Sequence, residues 1–273
     1  MNKIKNKVAL VTGSSSGLGK ALALELCHKG ASVVLNGRDS GRLAATHTEF
    51  KDLGFPVSFV CGDISVPADC EKIVEHCVET FGKLDFLISN AGLGSAGPFA
   101  ETAPETFKMI FEINTLGSIY ITRFALPHIL ESKGSIVFIS SLAGMVGLPY
   151  SSLYSGSKMA LTAIAQSLQI EMQGSGVHVG IVYAGFLKNQ AGKCLVGPDG
   201  SMQKMGERNP ALLQSLSSAA QSIIRVIEKK KRKIVLSPLG KFLNLMLRVS
   251  PWMVMWVLKS GRGKAQKMYE PQD

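Results

Sequence analysis

Short apolar runs alternate with longer amphipathic stretches along most of the chain. The short runs are rich in valine and isoleucine and have the length of buried strands. They predict strands over 8–12, 32–36, 57–62, 86–89, 134–140, 178–183 and 234–236. The longer stretches repeat their apolar residues at helical spacing and predict helices over 17–29, 42–53, 68–81, 104–132, 154–173 and 211–231.

This alternation predicts an α/β fold with a single doubly wound parallel sheet. Strands that are apolar throughout lie in a sheet covered on both faces, and helices between them make parallel crossovers. We therefore expect a Rossmann-like sheet with helices on both faces and a ligand crevice at the carboxyl ends of its strands. The predicted catalytic domain covers 1–237, with a mobile substrate lid at about 190–210. Residues 238–273 form a basic, apolar C-terminal extension.

A glycine-rich turn follows the first predicted strand. Its glycines, Gly13, Gly17 and Gly19, let the backbone turn sharply and approach a pyrophosphate. The helix that follows directs its free amides and positive dipole end at such an anion. The predicted dinucleotide contacts in this turn are Gly13, Ser14, Ser15, Ser16, Gly17, Leu18 and Gly19. The alternative is a glycine-rich turn without a ligand.

The end of the second predicted strand bears on the choice of cofactor. An NAD site commonly has an acidic residue there, which binds the ribose hydroxyls. This strand ends with Asn36, Gly37 and Arg38, so no carboxylate is present to repel a 2′-phosphate. The Arg38 guanidinium suits phosphate, and NADP(H) is the predicted cofactor. If Arg38 is an ordinary surface charge, the choice of cofactor stays open.

Two later strand ends add predicted cofactor contacts. Asp63 and Ile64 follow the third strand, where the Asp63 carboxylate can accept from an adenine amino group. Asn90, Ala91 and Gly92 follow the fourth strand, and these small residues permit close contact between backbone and cofactor. Either segment alone could be a simple turn, but successive strand ends share one edge of the sheet.

Three residues further along suit the reduction of a carbonyl group. Tyr154 and Lys158 stand four apart on a predicted helix, and Ser141 ends the preceding strand. A lysine ammonium one helical turn away favours the phenolate and so lowers the pKa of a tyrosine, which makes it a better acid. The Ser141 hydroxyl can donate to the same carbonyl oxygen. Alternatively, each of the three is an ordinary helix or turn residue.

Together these motifs resemble the short-chain dehydrogenase/reductase family over about residues 7–189. The likeness rests on Thr-Gly-x-x-x-Gly-x-Gly at 12–19, Asn-Ala-Gly at 90–92, Asn114, Ser141 and Tyr-x-x-x-Lys at 154–158. The resemblance implies a nicotinamide-dependent oxidoreductase in which Asn114 holds a water that links Lys158 to solvent. It also implies that Lys158 binds the nicotinamide ribose and that Arg38 marks the NADP-preferring branch. Helices 104–132 and 154–173 are those the family commonly uses to form homodimers or homotetramers.

One motif departs from the family pattern. The family usually has a proline before Gly185 and a threonine four residues after it, where this chain has Ala184 and Asn189. By the same resemblance, Gly185, Leu187 and Asn189 are expected to contact the nicotinamide end. The loss of proline predicts a less rigid loop and weaker cofactor binding.

Composition and charge bear on the cellular compartment and on the kinds of partner. The five cysteines show no paired spacing, which favours a reducing compartment over disulfides or a metal site. Residues 1–7 are polar and leave no room for a signal peptide, so the sequence predicts a cytoplasmic protein. Residues 1–187 carry 14 basic and 15 acidic side chains, whereas 188–273 carry 16 and 5, which accounts for the net charge of +10. No nucleic-acid recognition motif accompanies the basic run at 229–233.

The C-terminal extension contains two apolar segments, at 238–248 and 251–258. Both are shorter than the ~20 residues needed to span a bilayer. Their tryptophans and basic flanks suggest peripheral membrane contact through 238–262. They could instead pack over the substrate mouth or form a subunit contact. This end also resembles the 11-beta-hydroxysteroid dehydrogenase-like members of the family.

The predicted substrate is a small apolar ketone or aldehyde, or the matching alcohol. Loops 94–97 and 145–148 enter the crevice, and both lack a cation that would bind a carboxylate. Hydride transfer with Tyr154 as general acid or base is therefore the predicted function. The alternatives are a non-catalytic NADP(H)-binding regulatory protein and a lipid-directed reductase docked on a membrane by its tail.

Overall fold

Seven parallel strands form the central sheet of the computed structural model, which describes residues 3–188, 194–204, 210 and 213–263. The spatial order is β3-β2-β1-β4-β5-β6-β9, so the chain winds outward from β1 in both directions. The strands are β1 Val8–Val11, β2 Ser32–Gly37, β3 Val57–Cys61, β4 Phe86–Ser89, β5 Ser135–Ser141, β6 His178–Ala184 and β9 Lys233–Val235. Strands β7 (Cys194–Val196) and β8 (Met202–Lys204) form a separate antiparallel hairpin.

Helices connect the strands and cover both faces of the sheet. They are α1 Gly17–His28, α2 Ser40–Asp52, α3 Pro67–Phe81, α4 Pro104–Phe111, α5 Gly117–Ser132, α6 Ser152–Glu171, α7 Leu216–Glu228, α8 Pro238–Val249 and α9 Pro251–Ser260. Short 3₁₀ turns occur at Phe99–Glu101 and Leu142–Gly144. This arrangement confirms the predicted doubly wound α/β fold.

The hydrophobic core has two parts, one on each side of the sheet. Successive residues of β2 point to opposite faces, so Val33 packs in one cluster and Val34 in the other. The first cluster includes side chains of α1, α2 and α7, and the second includes side chains of α3, α5 and α6. Because both faces are covered, the ligand-binding edge is left to the carboxyl ends of the strands.

Three predicted segments differ in the structure. The predicted continuous helix over 104–132 is instead α4 and α5 joined by a π-helical turn, Glu112–Leu116. Apolar residues recur at helical spacing on both sides of this turn. The periodicity of the sequence therefore does not reveal the turn.

The predicted lid also has regular structure where it is described. The β7–β8 hairpin pairs with the loop after β4, since Val196 donates to the Gly94 carbonyl and Ala96 donates to the Val196 carbonyl. The predicted helix over 211–231 begins at Leu216, where the Ser215 side chain accepts from the Ser218 amide. Among the described residues, no helix is both long and apolar enough to span a membrane.

Candidate active site

The glycine-rich turn lies at the carboxyl end of β1 and against the end of β4. Gly13 has a left-handed φ of 64°, and a Cβ placed on it would lie 2.9 Å from the Ala91 Cα. A Cβ on Gly19 would collide with the Gly13 carbonyl oxygen. Both positions therefore require glycine because of close backbone packing. Gly17, with a φ of 55°, has open space on its Cβ side, which leaves room for a ligand.

Thr12 and Asn90 tie this turn to β4. The buried Thr12 hydroxyl accepts from the amides of Asn90 and Ala91, both at 3.0 Å. The Asn90 side chain donates to the carbonyl oxygens of Thr12, at 2.9 Å, and of Gly13, at 3.3 Å. Thr12 is absent from the predicted site residues, although its place as the first residue of the motif was a signal for it.

The three serines of the turn occupy different environments. The Ser14 hydroxyl is buried, accepts from the Asn36 amide at 2.9 Å and donates to the Asn36 carbonyl at 3.3 Å. Ser14 is a predicted dinucleotide contact, and in this structure its hydroxyl bonds the turn after β1 to the backbone of β2. Ser15 is half-buried, and its carbonyl accepts from Thr46. Ser16 is exposed and precedes α1 without a side-chain cap, so the first amides of α1 have no side-chain acceptor from it.

Arg38 and Asp63 meet at the ends of β2 and β3. The Arg38 Nη1 lies 3.3 Å from the Asp63 Oδ2, and the Arg38 side chain is 54% exposed, so a phosphate can reach it. Burial raises the Asp63 pKa, but hydrogen bonds from Ser65 and the Arg38 charge outweigh that effect, and the net pKa is lowered. Ile64, the next predicted contact, is buried against Gly117 at the start of α5.

The turn, α1 and Arg38 together fit a dinucleotide. The open Cβ side of Gly17 and the amino-terminal end of α1 suit a pyrophosphate, and the Arg38 guanidinium stands at the neighbouring strand end.

Asn114 lies in the π turn and is completely buried. Its Oδ1 accepts from the Leu93 amide at 2.7 Å, and its Nδ2 donates to the Leu93 carbonyl at 2.8 Å and to the Ser157 hydroxyl at 3.0 Å. These bonds fasten the segment after β4 to α6, the helix that carries Tyr154. π turns recur at functional sites because they displace one residue from the helical register.

The Lys158 side chain lies next to Asn114. It is 4% exposed, and its Nζ donates to the Ile139 carbonyl at 3.1 Å. A Cβ on Gly92 would lie 2.9 Å from the Asn114 Oδ1 and 3.2 Å from the Lys158 Nζ, so all three residues adjoin. The same Nζ is 6.0 Å from the centre of the Tyr154 ring. The structure thus brings the predicted lysine, asparagine and tyrosine together at one edge of the sheet.

Ser141 and Tyr154 both lie at this edge. Ser141 is the last residue of β5, and its Oγ accepts from the Ala143 amide at 3.3 Å as the chain enters a 3₁₀ turn. Tyr154 is half-buried in the first turn of α6, which begins at Ser152.

Several residues that support this group were not predicted. Ser157 links to Asn114 through its hydroxyl, and its carbonyl accepts from the Thr115 hydroxyl at 3.1 Å. The Ser140 hydroxyl donates to the Lys158 carbonyl at 3.2 Å. Their partners lie 18 or more residues away in the chain, so spacing gave no signal for them.

The predicted nicotinamide-end loop is only partly described. A Cβ on Gly185 would lie 2.5 Å from the Ser237 Oγ, so this residue packs tightly on the segment that leads into α8. Leu187 is half-buried and pairs with Gln214 in an isolated parallel bridge. Asn189 lies outside the described residues.

The cysteines contribute no metal centre within the part of the chain that the structure describes, where no group of metal-ligating side chains occurs. Burial raises the pKa of Cys27, Cys70 and Cys77 to about 12, so these thiols stay protonated and unreactive near neutrality.

Comparisons with known proteins agree with this geometry. The short chain dehydrogenase family model matches residues 7–195. The "11-beta-hydroxysteroid dehydrogenase-like 4A" of Arabidopsis thaliana is 35% identical over 232 residues, which cover 84% of this chain and 76% of that protein.

Solved structures give the same result. A short-chain dehydrogenase from Streptomyces avermitilis superposes with a TM-score of 0.79 at 26% identity, covering 95% of this chain and 98% of that one. An alcohol dehydrogenase from the archaeon Thermococcus sibiricus, solved with 5-hydroxy-NADP, gives a TM-score of 0.74 at 25% identity and covers 85% and 97%.

A doubly wound sheet with a glycine-rich turn and a tyrosine–lysine pair at its carboxyl edge defines a nicotinamide-dependent oxidoreductase. This chain belongs to the short-chain dehydrogenase family. The family membership expected from the sequence is confirmed, as is the likeness to the 11-beta-hydroxysteroid dehydrogenase-like members.

Proposed function

We propose that the chain is an NADP(H)-dependent reductase of apolar ketones or aldehydes that also oxidises the matching alcohols. The observation that carries this proposal is the buried Lys158, whose Nζ adjoins Gly92 and lies 6.0 Å from the Tyr154 ring centre. Burying a charged ammonium costs free energy, so buried charged groups are often functional. Because this ammonium lies beside a phenol at the carboxyl edge of the sheet, we assign it a part in proton transfer.

The proposed mechanism assigns one task to each residue. When bound, NADPH supplies a hydride to the carbonyl carbon. The Tyr154 hydroxyl gives its proton to the carbonyl oxygen, and Ser141 donates a hydrogen bond to that oxygen. The Lys158 ammonium stabilises the phenolate that remains until a proton from solvent restores the phenol. Asn114 holds the π turn beside Lys158, and the family resemblance adds that it retains the water through which this proton arrives.

The preference for NADP(H) is proposed from Arg38. Residues 36–38 hold no carboxylate, and the half-exposed guanidinium pairs with Asp63 at the strand ends. A 2′-phosphate offers more acceptor oxygens and more charge than one carboxylate, so it competes well for this arginine.

The proposal extends to the domain bounds, the cellular location and the assembly of the protein. We place the catalytic domain at 1–237 and the extension at 238–273, in a cytoplasmic protein that contacts a membrane peripherally through 238–262. Exposed apolar residues on α4, α5 and α6, among them Phe111, Leu130 and Ile170, support assembly into a homodimer or homotetramer through these helices.

The test of the function is NADPH consumption with a panel of lipophilic ketones. Wild type should oxidise NADPH with part of the panel, and Tyr154→Phe should lose about a thousandfold in turnover while it still enhances NADPH fluorescence on binding. Wild-type turnover in Tyr154→Phe would contradict the proposed role of the phenol. Cofactor binding without consumption across the whole panel would favour a regulatory nucleotide-binding protein.

A further inference from the structure

The C-terminal helix pair exposes a continuous apolar surface. On α8 the exposed residues recur every three or four positions and therefore share one side of the helix. On α9 the two tryptophans, 73% and 62% exposed, stand four apart. The members of this surface, here called the apolar face, are Leu239, Phe242, Leu245, Val249, Trp252, Met255 and Trp256.

Both helices that carry the apolar face also carry exposed basic residues. Lys241 and Arg248 stand seven apart on α8 and are exposed next to the apolar residues, and Lys259 is exposed on α9. Between residues 229 and 263 the chain has nine basic residues and no aspartate or glutamate. The nine are Lys229, Lys230, Lys231, Arg232, Lys233, Lys241, Arg248, Lys259 and Arg262.

The helix pair adjoins the entrance to the active site. At the start of α8, a Cβ on Gly240 would lie 2.5 Å from the Leu142 Cδ2, the residue directly after Ser141. Just beyond α9, Arg262 shares a side-chain hydrogen bond with Tyr150, which raises the Arg262 pKa. Tyr150 lies four residues before Tyr154, and its carbonyl accepts from the Gly97 amide at 2.8 Å. Both ends of the helix pair thus touch loops that border the reacting groups.

We infer that the apolar face docks on an anionic bilayer surface and holds the mouth of the active site against it, so that substrate enters from the lipid phase. This inference rests on the proposed function for its substrate class. Tryptophans with flanking lysines and arginines are suited to the boundary between headgroups and acyl chains. The two helices are too short to span, and they lie in the plane of the interface.

The charge distribution favours this occupant over a second copy of the chain. Two apolar faces brought together would place two sets of cations against each other without a compensating carboxylate. Anionic headgroups remove that repulsion, and each basic residue near such a surface adds favourable binding energy.

Vesicle sedimentation tests the docking without relying on catalysis. The full chain should sediment with vesicles of phosphatidylcholine containing phosphatidylglycerol and much less with pure phosphatidylcholine. Lys241→Gln/Arg248→Gln should weaken partitioning about thirtyfold, which is ~2 kcal/mol. Trp252→Ser/Trp256→Ser should weaken it by more than about tenfold. Leu53→Ser, which removes an exposed apolar residue on the C-terminal end of α2, should bind as wild type does.

Activity then tests the delivery of substrate. With a long-chain ketone held in anionic vesicles, Trp252→Ser/Trp256→Ser should lose more than about tenfold in rate, in proportion to its lost partitioning. With a short, water-soluble ketone, its rate should equal that of wild type, which shows that the fold and the reacting groups are intact.

The outcomes separate the inference from the function on which it rests. No sedimentation of wild type with anionic vesicles, or equal rates of both proteins on the vesicle-borne ketone, would overturn the inference. A variant that loses self-association in ultracentrifugation while wild type ignores vesicles would assign the face to a second copy and also overturn it. Vesicle binding by a wild type that reduces neither ketone would leave docking supported and refute the proposed reductase.

Discussion

The edge of the sheet that carries the proposed reacting groups differs from the C-terminal helix pair in which kind of side chain it buries. At the sheet edge, polar side chains are buried and bond to one another or to backbone, as Asn114 and Thr12 do. On the helix pair, large apolar side chains face outward among cations. The side chains of the first region find their hydrogen-bond partners within the chain. For the second region we propose a partner outside the chain.

The largest expected effect is at Lys158. Replacing it with methionine preserves most of the volume but removes the ammonium beside Tyr154. We expect turnover to fall by about a thousandfold because the phenolate loses its stabilising charge, measured as NADPH oxidation at saturating ketone. Lys51→Met, at an exposed position in the last turn of α2, is the control and should leave turnover unchanged. Equal turnover in both variants would show that the ammonium has no part in the chemistry.

The next largest effect should be on stability, when a methyl group is added in the glycine-rich turn. In Gly19→Ala the added methyl group collides with the Gly13 carbonyl, so we expect a loss of about 3 kcal/mol in the free energy of unfolding by urea. Gly41→Ala, near the start of α2, meets only the Asp39 Oδ1 at 3.6 Å and should be neutral or stabilising by up to about 1 kcal/mol. Similar losses for the two variants would contradict the close approach at Gly19.

Arg38 tests the choice of cofactor. Arg38→Gln should weaken NADPH binding about thirtyfold, ~2 kcal/mol, because a charge-assisted bond to phosphate is lost. NADH binding should hardly change, and both affinities follow from cofactor fluorescence. Arg42→Gln, which removes an exposed arginine bonded to Asp39, serves as the control. A parallel loss for NADPH and NADH would remove the basis for the preference.

The smallest effect should be on the helix pair. Trp252→Ser removes a side chain that is 73% exposed, so the free energy of unfolding should change by no more than about 0.5 kcal/mol. Val254→Ala, on the buried side of the same helix, should cost about 1.5 kcal/mol. A larger loss at Trp252 than at Val254 would mean that the tryptophan already packs within the folded chain.

The sequence predicted the sheet well because its strands are short, apolar and bounded by turn residues. It did not predict the π turn at Glu112–Leu116, since one extra residue in a turn leaves the apolar spacing nearly unchanged. The sequence also did not predict the hairpin at 194–204, whose two strands have only three residues each. Its contact with Gly94 and Ala96 joins segments about a hundred residues apart, so no local pattern indicates it.

At the candidate site, the sequence predicted residues with a fixed motif spacing but not the residues that support them. The spacing of Tyr154 and Lys158 on one helix predicted that they lie close together, as they do in the structure. Ser157 and Thr115 act through hydrogen bonds whose partners are set by tertiary packing, and a serine or threonine in a helix has no distinctive pattern. The bonds of the Ser14 hydroxyl to the Asn36 backbone were likewise not predicted, because they depend on how β2 lies beside the glycine-rich turn.

A crystal structure of the complex with NADPH would show whether Tyr154 and Lys158 meet the cofactor as proposed. We expect the Tyr154 hydroxyl to face the nicotinamide ring, with the Lys158 Nζ between that hydroxyl and the nicotinamide ribose. A complex in which the hydroxyl points away from the nicotinamide, or in which the Nζ contacts neither group, would contradict this expectation.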